Sequence, residues 1–386
     1  MELKSKIRIL HLLSRFKGNY PLFNQIIEGL DHKRYHHIVL YMAETLSPDD
    51  VLNKAGYDIR CLPFKKKDLR HFRPSAVLKI REIIKSENID IIHAHRHKPC
   101  VYAVLAAQAL DTRVIVSVHG QNRWRSFGRR LTNRLLWSGL SRIIAISEAV
   151  RQDILAHNSW FPYEKISVIH NGIDTAYFSA CSVERKAARK QFGLPGNAWL
   201  WGTAGRLTPV KGHGTLLTAW AKMSLGAKSA HLAIAGEGEL KKELKNLANR
   251  LKISEQVTFL GQVRDMPCFL NALDGFVFPS INEGLGLALI EAMSAGIPVV
   301  ASDTGGIPEV LKGIEVKGHV FLTKPECPEE LGRAMVSMMK WDQKRYNEAS
   351  ASVKKRGLEF DKSMMIDRMD KFYQEIADPR YRFIQR

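Results

Sequence analysis

Short runs of β-branched and aliphatic residues alternate along this chain with longer stretches whose apolar positions recur every three to four residues. In the first half IRILHLL is followed by a polar turn and PLFNQIIEGL, then IDIIHAH by PCVYAVLAAQAL, and RVIVSVHG closes the series. Short apolar runs bounded by turns read as buried strands and the 3.6-period stretches as crossover helices, so the alternation predicts βαβ units on a parallel sheet. After HNGIDTAYF (His170 to Phe178) and the basic SVERKAARKQFG the rhythm restarts with AWLWGTAG, HGTLLTAWAKM, AHLAIAGEG, ELKKELKNLANRLK, QVTFLG, GFVFPS, LALIEAMSAG, PVVAS and HVFL. The fold class expected is α/β, with two Rossmann-like doubly wound domains joined by a linker near residues 175 to 195. Their bounds are 1–178 and 179–362. The segment 363–386 contains the helical pattern MMIDRMDKFYQEI and is expected to pack back on the first domain. Ligands of open α/β sheets bind beyond the carboxyl ends of the strands, so two such domains facing each other make a central cleft.

Length supports the division, since 386 residues exceed what one ordinary core organises. Five scattered cysteines (Cys61, Cys100, Cys181, Cys268, Cys327) include no CxxC pair, which argues against a disulfide framework or zinc ribbon and fits a reducing cytoplasm. The start, MELKSKIRILHLLSRF, is broken by Arg8 and Arg15 and lacks the apolar core of a signal peptide. No uncharged apolar run reaches the roughly 18 residues that span a bilayer.

Charge adds more. The 58 basic and 39 acidic residues give a net charge of +19, and most of the excess falls before residue 175, in FKKKDLRHFR (Phe64 to Arg73) and NRWRSFGRRLTNR (Asn122 to Arg134). Such patches attract an anionic leaflet at about 1 kcal/mol per cation or a nucleic acid, or they serve only as a solvated face. No helix-turn-helix, zinc finger or aromatic RNP pattern accompanies them, so no nucleic-acid partner is expected. Trp124, Phe127 and Trp137 lie among the arginines and point to an acceptor in or near an anionic membrane, with Arg129 and Arg130 as the docking patch.

Candidate chemistry is concentrated in INEGLGLALIEAMSAG, Ile281 to Gly296. Gly284 and Gly286 flank Leu285 and let the backbone bend and approach a ligand closely. The helix that starts at Leu287 offers unpaired amides and a partial positive charge, a place for a diphosphate. Glu291 lies five residues past Gly286, roughly 7.5 Å along a helix, within reach of a ribose beside that diphosphate. Glu283, before the turn, would face the other end of the ligand. The plain alternative makes Glu283 a turn residue and Glu291 a surface glutamate. In AGRLTPVKGHG, Arg206 and Lys211 follow a strand and precede a helix; the order is not a P-loop, yet both can pair with phosphate or remain solvated surface cations. His119 ends RVIVSVHG, either lining the cleft or capping the strand. Alternation places His93, His95 and His97 on one face of an extended strand, but a fourth ligand and zinc-motif spacing are missing, so no metal is assigned. AGEGE (Ala235 to Glu239) lacks the third glycine of a dinucleotide fingerprint, and no cofactor is expected.

Together His119, the Gly205–Arg206 pair, Lys211 in PVKG, AGEGE, and the glutamates Glu283 and Glu291 separated by seven residues resemble the retaining family 4 glycosyltransferases of the GT-B fold. SRIIAISEAVR, VIHNGIDTAYF and GIPVVASDTGGIPEVL are similar to that family's linker and donor-domain motifs, and the resemblance is strongest from Ile144 to Leu311. It implies a nucleotide diphosphate sugar, UDP-linked, held by the second domain, and a glycan or lipid-linked acceptor in cell-envelope polysaccharide synthesis at the cytoplasmic face of the inner membrane. By the same resemblance Arg206 and Lys211 neutralise the phosphates with help from Gly205 and the amides of Leu285 to Leu287. Glu291 accepts from the ribose, Glu283 holds the sugar, His119 reaches it from the first domain, and Val263 beside Gln262 lines the base. No metal is needed and configuration is retained. One departure concerns the loop SRFKGNYPLF, where the family has two adjacent glycines and this chain has Gly18 followed by Asn19. Two other readings remain: a nucleotide-sugar 2-epimerase of the same architecture, and a basic module that binds membrane or nucleic acid without catalysis.

Overall fold

The structure, a computed structural model, describes residues 6–14, 20–43, 51–224, 230–378 and 380. Two compact units divide the chain: Met1–Asn171 with Ser363–Arg386, and Gly172–Lys362. The first unit holds strands β1 (Ile7–Leu13), β2 (Tyr35–Tyr41), β3 (Asp58–Cys61), β4 (Ile91–His95), β5 (Arg113–Val118), β6 (Arg142–Ala145) and β7 (Ile166–Val168). Its helices are α1 (Pro21–Gly29), α2 (Val51–Lys54), α3 (Pro74–Ser86), α4 (His97–Ala107), α5 (Phe127–Leu136) and α6 (Glu148–His157). The second unit holds α7 (Thr175–Ser179), α8 (Arg185–Gln191), β8 (Trp199–Ala204), α9 (His213–Ser224), β9 (Ala230–Ala235), α10 (Lys241–Arg250), β10 (Val257–Gly261), α11 (Met266–Asn271) and β11 (Gly275–Phe278). It continues through α12 (Leu287–Ser294), β12 (Val299–Ser302), α13 (Ile307–Leu311), β13 (Phe321–Thr323), α14 (Pro328–Met339) and α15 (Gln343–Leu358), and α16 (Lys362–Ala377) follows.

Both sheets are parallel, in the orders β3-β2-β1-β4-β5-β6-β7 and β10-β9-β8-β11-β12-β13. This is the pair of doubly wound α/β domains that the alternation of runs predicts. Parallel strands covered by helices on both faces read as continuous apolar segments, and β9 (AHLAIA) is buried at every position. In each sheet the strand order reverses once along the chain, between β1 and β4 and between β8 and β11, and these switch points open at the carboxyl ends of the strands.

Helix α16 belongs to the first unit. Met365, Met369, Phe372, Tyr373 and Ile376 are buried against Ile9, Ile91, Ile115 and Ile144 of four neighbouring strands. Polar contacts fix its register: Arg34 pairs with Asp370 at 2.8 Å, Tyr35 donates to the same carboxylate at 2.6 Å, and Arg142 pairs with Glu375 at 2.6 Å.

The stretch expected as a linker, 175 to 195, is structured instead. Asp174 caps α7 by accepting from the Tyr177 amide, and α7 and α8 pack on α11 while α7 also meets α12. Where the chain enters and leaves the second unit the two passages run side by side: Ile173 bridges Asp361, and the Thr175 hydroxyl donates to the Asp361 carboxylate at 2.7 Å. A Cβ on Gly172 would lie 2.7 Å from the Lys362 Cα, so that position requires glycine.

Candidate functional site

In the second unit three loops meet at the β8/β11 switch point. Gly212 ends the β8 loop with φ of 66°, and a Cβ there would lie 1.9 Å from the Pro279 carbonyl oxygen, so the loops following β8 and β11 touch backbone to backbone. The Ile281 amide donates to the Val210 carbonyl at 2.8 Å. From the loop after β12, the Thr304 hydroxyl donates to the Ile281 carbonyl at 3.0 Å, and the Gly306 amide donates to the Glu283 carbonyl at 3.3 Å.

This seam brings Lys211 and Glu283 together as an ion pair, both largely buried. The Lys211 ammonium also sits 5.2 Å from the centroid of the Phe278 ring, and the Ser280 hydroxyl lies 3.4 Å from the paired Glu283 oxygen. The stem of Lys211 passes 3.9 Å from the Cβ direction of Gly205. Arg206, next in sequence, is exposed and makes no ion pair among the described residues. His213 is buried beside them; burial, and then the charge of Lys211, push its imidazole down to about 4, so it is neutral. Phe278, Ser280 and His213 were not picked out by the sequence pattern, because each reads there as an ordinary strand or turn residue.

Gly286 precedes α12 with φ of 100° and supplies no capping side chain, so the amides of Leu287 to Leu289 open on the loop without an intrahelical acceptor. The Leu285 side chain is buried as an anchor, while Gly284 and Leu287 are half-buried. Glu291 is also half-buried, its carboxyl has no hydrogen-bond partner among the described residues, and burial raises it to about 7. Val263 follows β10, half-buried, on the same carboxyl edge two strands from β8. The intervening AGEGE loop packs tightly on the β8 loop: a Cβ on Gly236 would meet the Gly205 carbonyl at 1.9 Å, and one on Gly238 the Leu207 carbonyl at 2.4 Å. Those glycines serve close packing of two loops.

In the first unit His119 follows β5 and is exposed, its ring stacked at 6.3 Å on that of His95. Behind it lies a buried histidine network. His11 is 3.3 Å from His95 through one ring nitrogen and 3.0 Å from His37 through the other; His93 is 2.6 Å from the Tyr373 hydroxyl and 2.7 Å from that of Ser117. Desolvation holds all four imidazoles below their ordinary value, His37 and His93 at about 3. The expectation that His93, His95 and His97 share a strand face is corrected: β4 ends at His95, and His97 opens α4 and bonds Asn133 at 2.9 Å. His11 takes its place, with ring nitrogens of His11, His93 and His95 within 4.8 Å of one another. Both nitrogens of His11 and of His93 are already engaged in hydrogen bonds, which accounts for the cluster as a polar network.

Arg96, between β4 and α4, is a further feature absent from the pattern. It has φ of 93° and ψ of 167°, a region that only glycine occupies freely, and its side chain is exposed. Gly18 and Asn19 lie outside the described residues.

Residues 184–356 match the profile of the glycosyl transferases group 1, and residues 23–177 match that of glycosyltransferase family 4. The chain is 29% identical over 246 residues to the UDP-Gal:alpha-D-GlcNAc-diphosphoundecaprenol alpha-1,3-galactosyltransferase of Escherichia coli, covering 60% of this chain and 62% of that protein. It is 30% identical over 262 residues to the GDP-mannose-dependent monoacylated alpha-(1-6)-phosphatidylinositol monomannoside mannosyltransferase of Corynebacterium glutamicum, covering 64% and 68%. The chain thus spans under two thirds of the first of these relatives and slightly more of the second. Among solved structures, a glycosyltransferase from Rickettsia africae aligns with a TM-score of 0.82 at 20% identity over 97% of this chain and 100% of its own. HepE of Anabaena, in complex with UDP and glucose, aligns at 0.78 and 22% over 95% and 99%. The fold common to them is GT-B, built on two parallel-sheet α/β domains.

Proposed function

This chain belongs to the group 1 glycosyltransferases, and from that membership we propose that it moves a sugar from a nucleotide diphosphate sugar, UDP-linked, to a glycan or lipid-linked acceptor of the cell envelope with retention of configuration. The observation that carries this reading is the meeting of Lys211, Glu283 and the uncapped start of α12 at one switch point, with Glu291, which has no hydrogen-bond partner among the described residues, one helical turn further on.

In this scheme the diphosphate lies on the amides of α12, where the helix dipole favours anions. Arg206 approaches as a planar fork and Lys211 as a point charge. Their charge, with the amides, answers the negative charge that grows on the leaving diphosphate, the work a divalent cation does elsewhere. Incoming phosphate draws Lys211 from Glu283, and the freed carboxylate accepts hydroxyls of the sugar. Glu291 accepts from the ribose, and Val263 and Gln262 lie along the base. The bond from the anomeric carbon to the diphosphate oxygen breaks, the acceptor oxygen bonds that carbon on the same face, and the acceptor proton passes to the departing diphosphate. No protein nucleophile is required. The UDP assignment is supported by the donor named for the E. coli relative and by UDP in HepE; the GDP-mannose relatives supply the competing donor.

Two measurements test the reading. UDP should raise the thermal unfolding midpoint while GDP and ADP leave it unchanged; a shift with GDP alone would replace the donor assignment. Glu283→Ala and Lys211→Ala should each lower transfer at least about tenfold, equivalent to roughly 1.4 kcal/mol in barrier, in proteins that remain folded. Near-normal rates in both would remove their assigned roles.

A further inference from the structure

Helix α5 turns its apolar side outward. Phe127, Leu131 and Leu135 recur at every fourth position and are 79%, 51% and 71% exposed. The buried residue of this helix is polar: Asn133 accepts from His97 at 2.9 Å and donates to Asn158 at 3.3 Å. A helix on a water-facing surface carries the reverse arrangement. With 3.6 residues per turn the three apolar side chains span about 80° of the surface, and Arg130 and Arg134, both exposed, border them within about 60° on one side. Past the helix end stand the half-buried indoles Trp137 and Trp160, centroids 6.4 Å apart, with the Arg134 guanidinium 5.3 Å from the Trp160 ring and the Lys165 ammonium 5.4 Å from that of Trp137. Trp124 is not part of this surface, being buried, and Arg129 is held back by its bond to the Arg123 carbonyl at 2.6 Å.

We propose that the Phe127–Leu131–Leu135 face of α5 inserts into the interface of an anionic phospholipid bilayer, with Arg130 and Arg134 on the headgroup phosphates and the indoles at headgroup depth. An exposed apolar stripe edged by arginines and backed by tryptophans is the composition of an interfacial helix. Charge selects the bilayer over a second copy of this chain, because two faces bearing the same cations on a protein of net charge +19 repel, whereas an anionic leaflet attracts. The inference rests on the proposed transfer reaction only for its purpose, to bring the enzyme to a lipid-linked acceptor. Binding is measured without donor or acceptor, so either reading can fail alone.

The full chain is sedimented with vesicles of phosphatidylcholine alone and of phosphatidylcholine mixed with phosphatidylglycerol. The protein should partition onto the mixed vesicles and release at high salt. Phe127→Ser, Leu131→Ser and Leu135→Ser combined should lower that partitioning at least tenfold with an unchanged thermal midpoint, and Arg130→Glu with Arg134→Glu should lower it and abolish its salt dependence. Equal partitioning of the triple serine variant and the parent would overturn the proposal. So would a parent protein that is dimeric in the absence of vesicles while the serine variant is monomeric, since the stripe would then be a self-association surface.

Discussion

Glu291 and Arg96 are each held in a state that the isolated residue would not choose. A carboxyl raised to about 7 binds a proton more tightly in the folded chain than in the unfolded one. Its contribution to stability is therefore present at low pH and is lost as pH rises from about 4.5 through 7. Glu291→Gln should raise the ligand-free unfolding midpoint at pH 8, by about 2–4 °C for each kcal/mol recovered, and leave it unchanged at pH 4. The same variant should bind the UDP-sugar at least about tenfold more weakly if the carboxylate accepts from ribose. Equal midpoints at pH 8 would remove the buried charge from the account. Arg96 stores backbone strain of about 1–3 kcal/mol. Arg96→Gly should relieve it and raise the urea midpoint of the first unit; a lower midpoint would mean that the guanidinium contributes more to the fold than the strain removes. Neither condition was legible in the sequence. Spacing placed Glu291 on a helix near a turn, but its desolvation comes from packing, and nothing in HAHRH announces that the arginine occupies a glycine's region of backbone space.

At the level of elements the alternation of runs was informative and their neighbours were not. Parallel strands take partners far away in sequence: His11 of β1 lies level with His93 of β4, a pairing that periodicity within either strand does not reveal. That is why alternation along the chain groups His93, His95 and His97 and omits His11. The glutamates and cations of the β8 and β11 loops were legible as candidates because strand ends and helix starts have local signatures. Their ion pair was not, since it depends on β8 and β11 being adjacent although two strands, β9 and β10, separate them along the chain. The element that holds the two loops in contact is Gly212. Gly212→Ala combines an unfavourable φ with a Cβ 1.9 Å from a carbonyl oxygen, so it should separate the loops and lower UDP-sugar affinity at least about tenfold. Isothermal titration checks this, and unchanged affinity would show that the loops close by another route.

Across the molecule, acid should act unequally on the two units. His11, His37, His93 and His95 have folded-state values below the ordinary 6.5, so the unfolded chain takes up protons first as pH falls. The stability of the first unit is complete above about pH 6.5, and each unit of pH below it withdraws up to about 1.4 kcal/mol per buried imidazole. In the second unit His213 and His231 act in the same direction, while Glu291 opposes them. Hydrogen exchange followed by peptide mass should show the first unit opening at higher pH than the second; simultaneous opening would contradict the histidine account.

The return of α16 to the first unit carries a consequence for biosynthesis. The strand face formed by Ile9, Ile91, Ile115 and Ile144 shares its cluster with Ile26 and Leu30 from the start of the chain but stays incompletely covered until the residues of α16 leave the ribosome, whereas the second unit is contiguous and can finish beforehand. Roughly 200 codons separate β7 from α16, a wait of about 10–40 s at about 5–20 residues per second. The half of the protein that is translated first is thus the last to be completed, and through that interval it presents a partly covered greasy sheet to whatever chaperones attend the nascent chain.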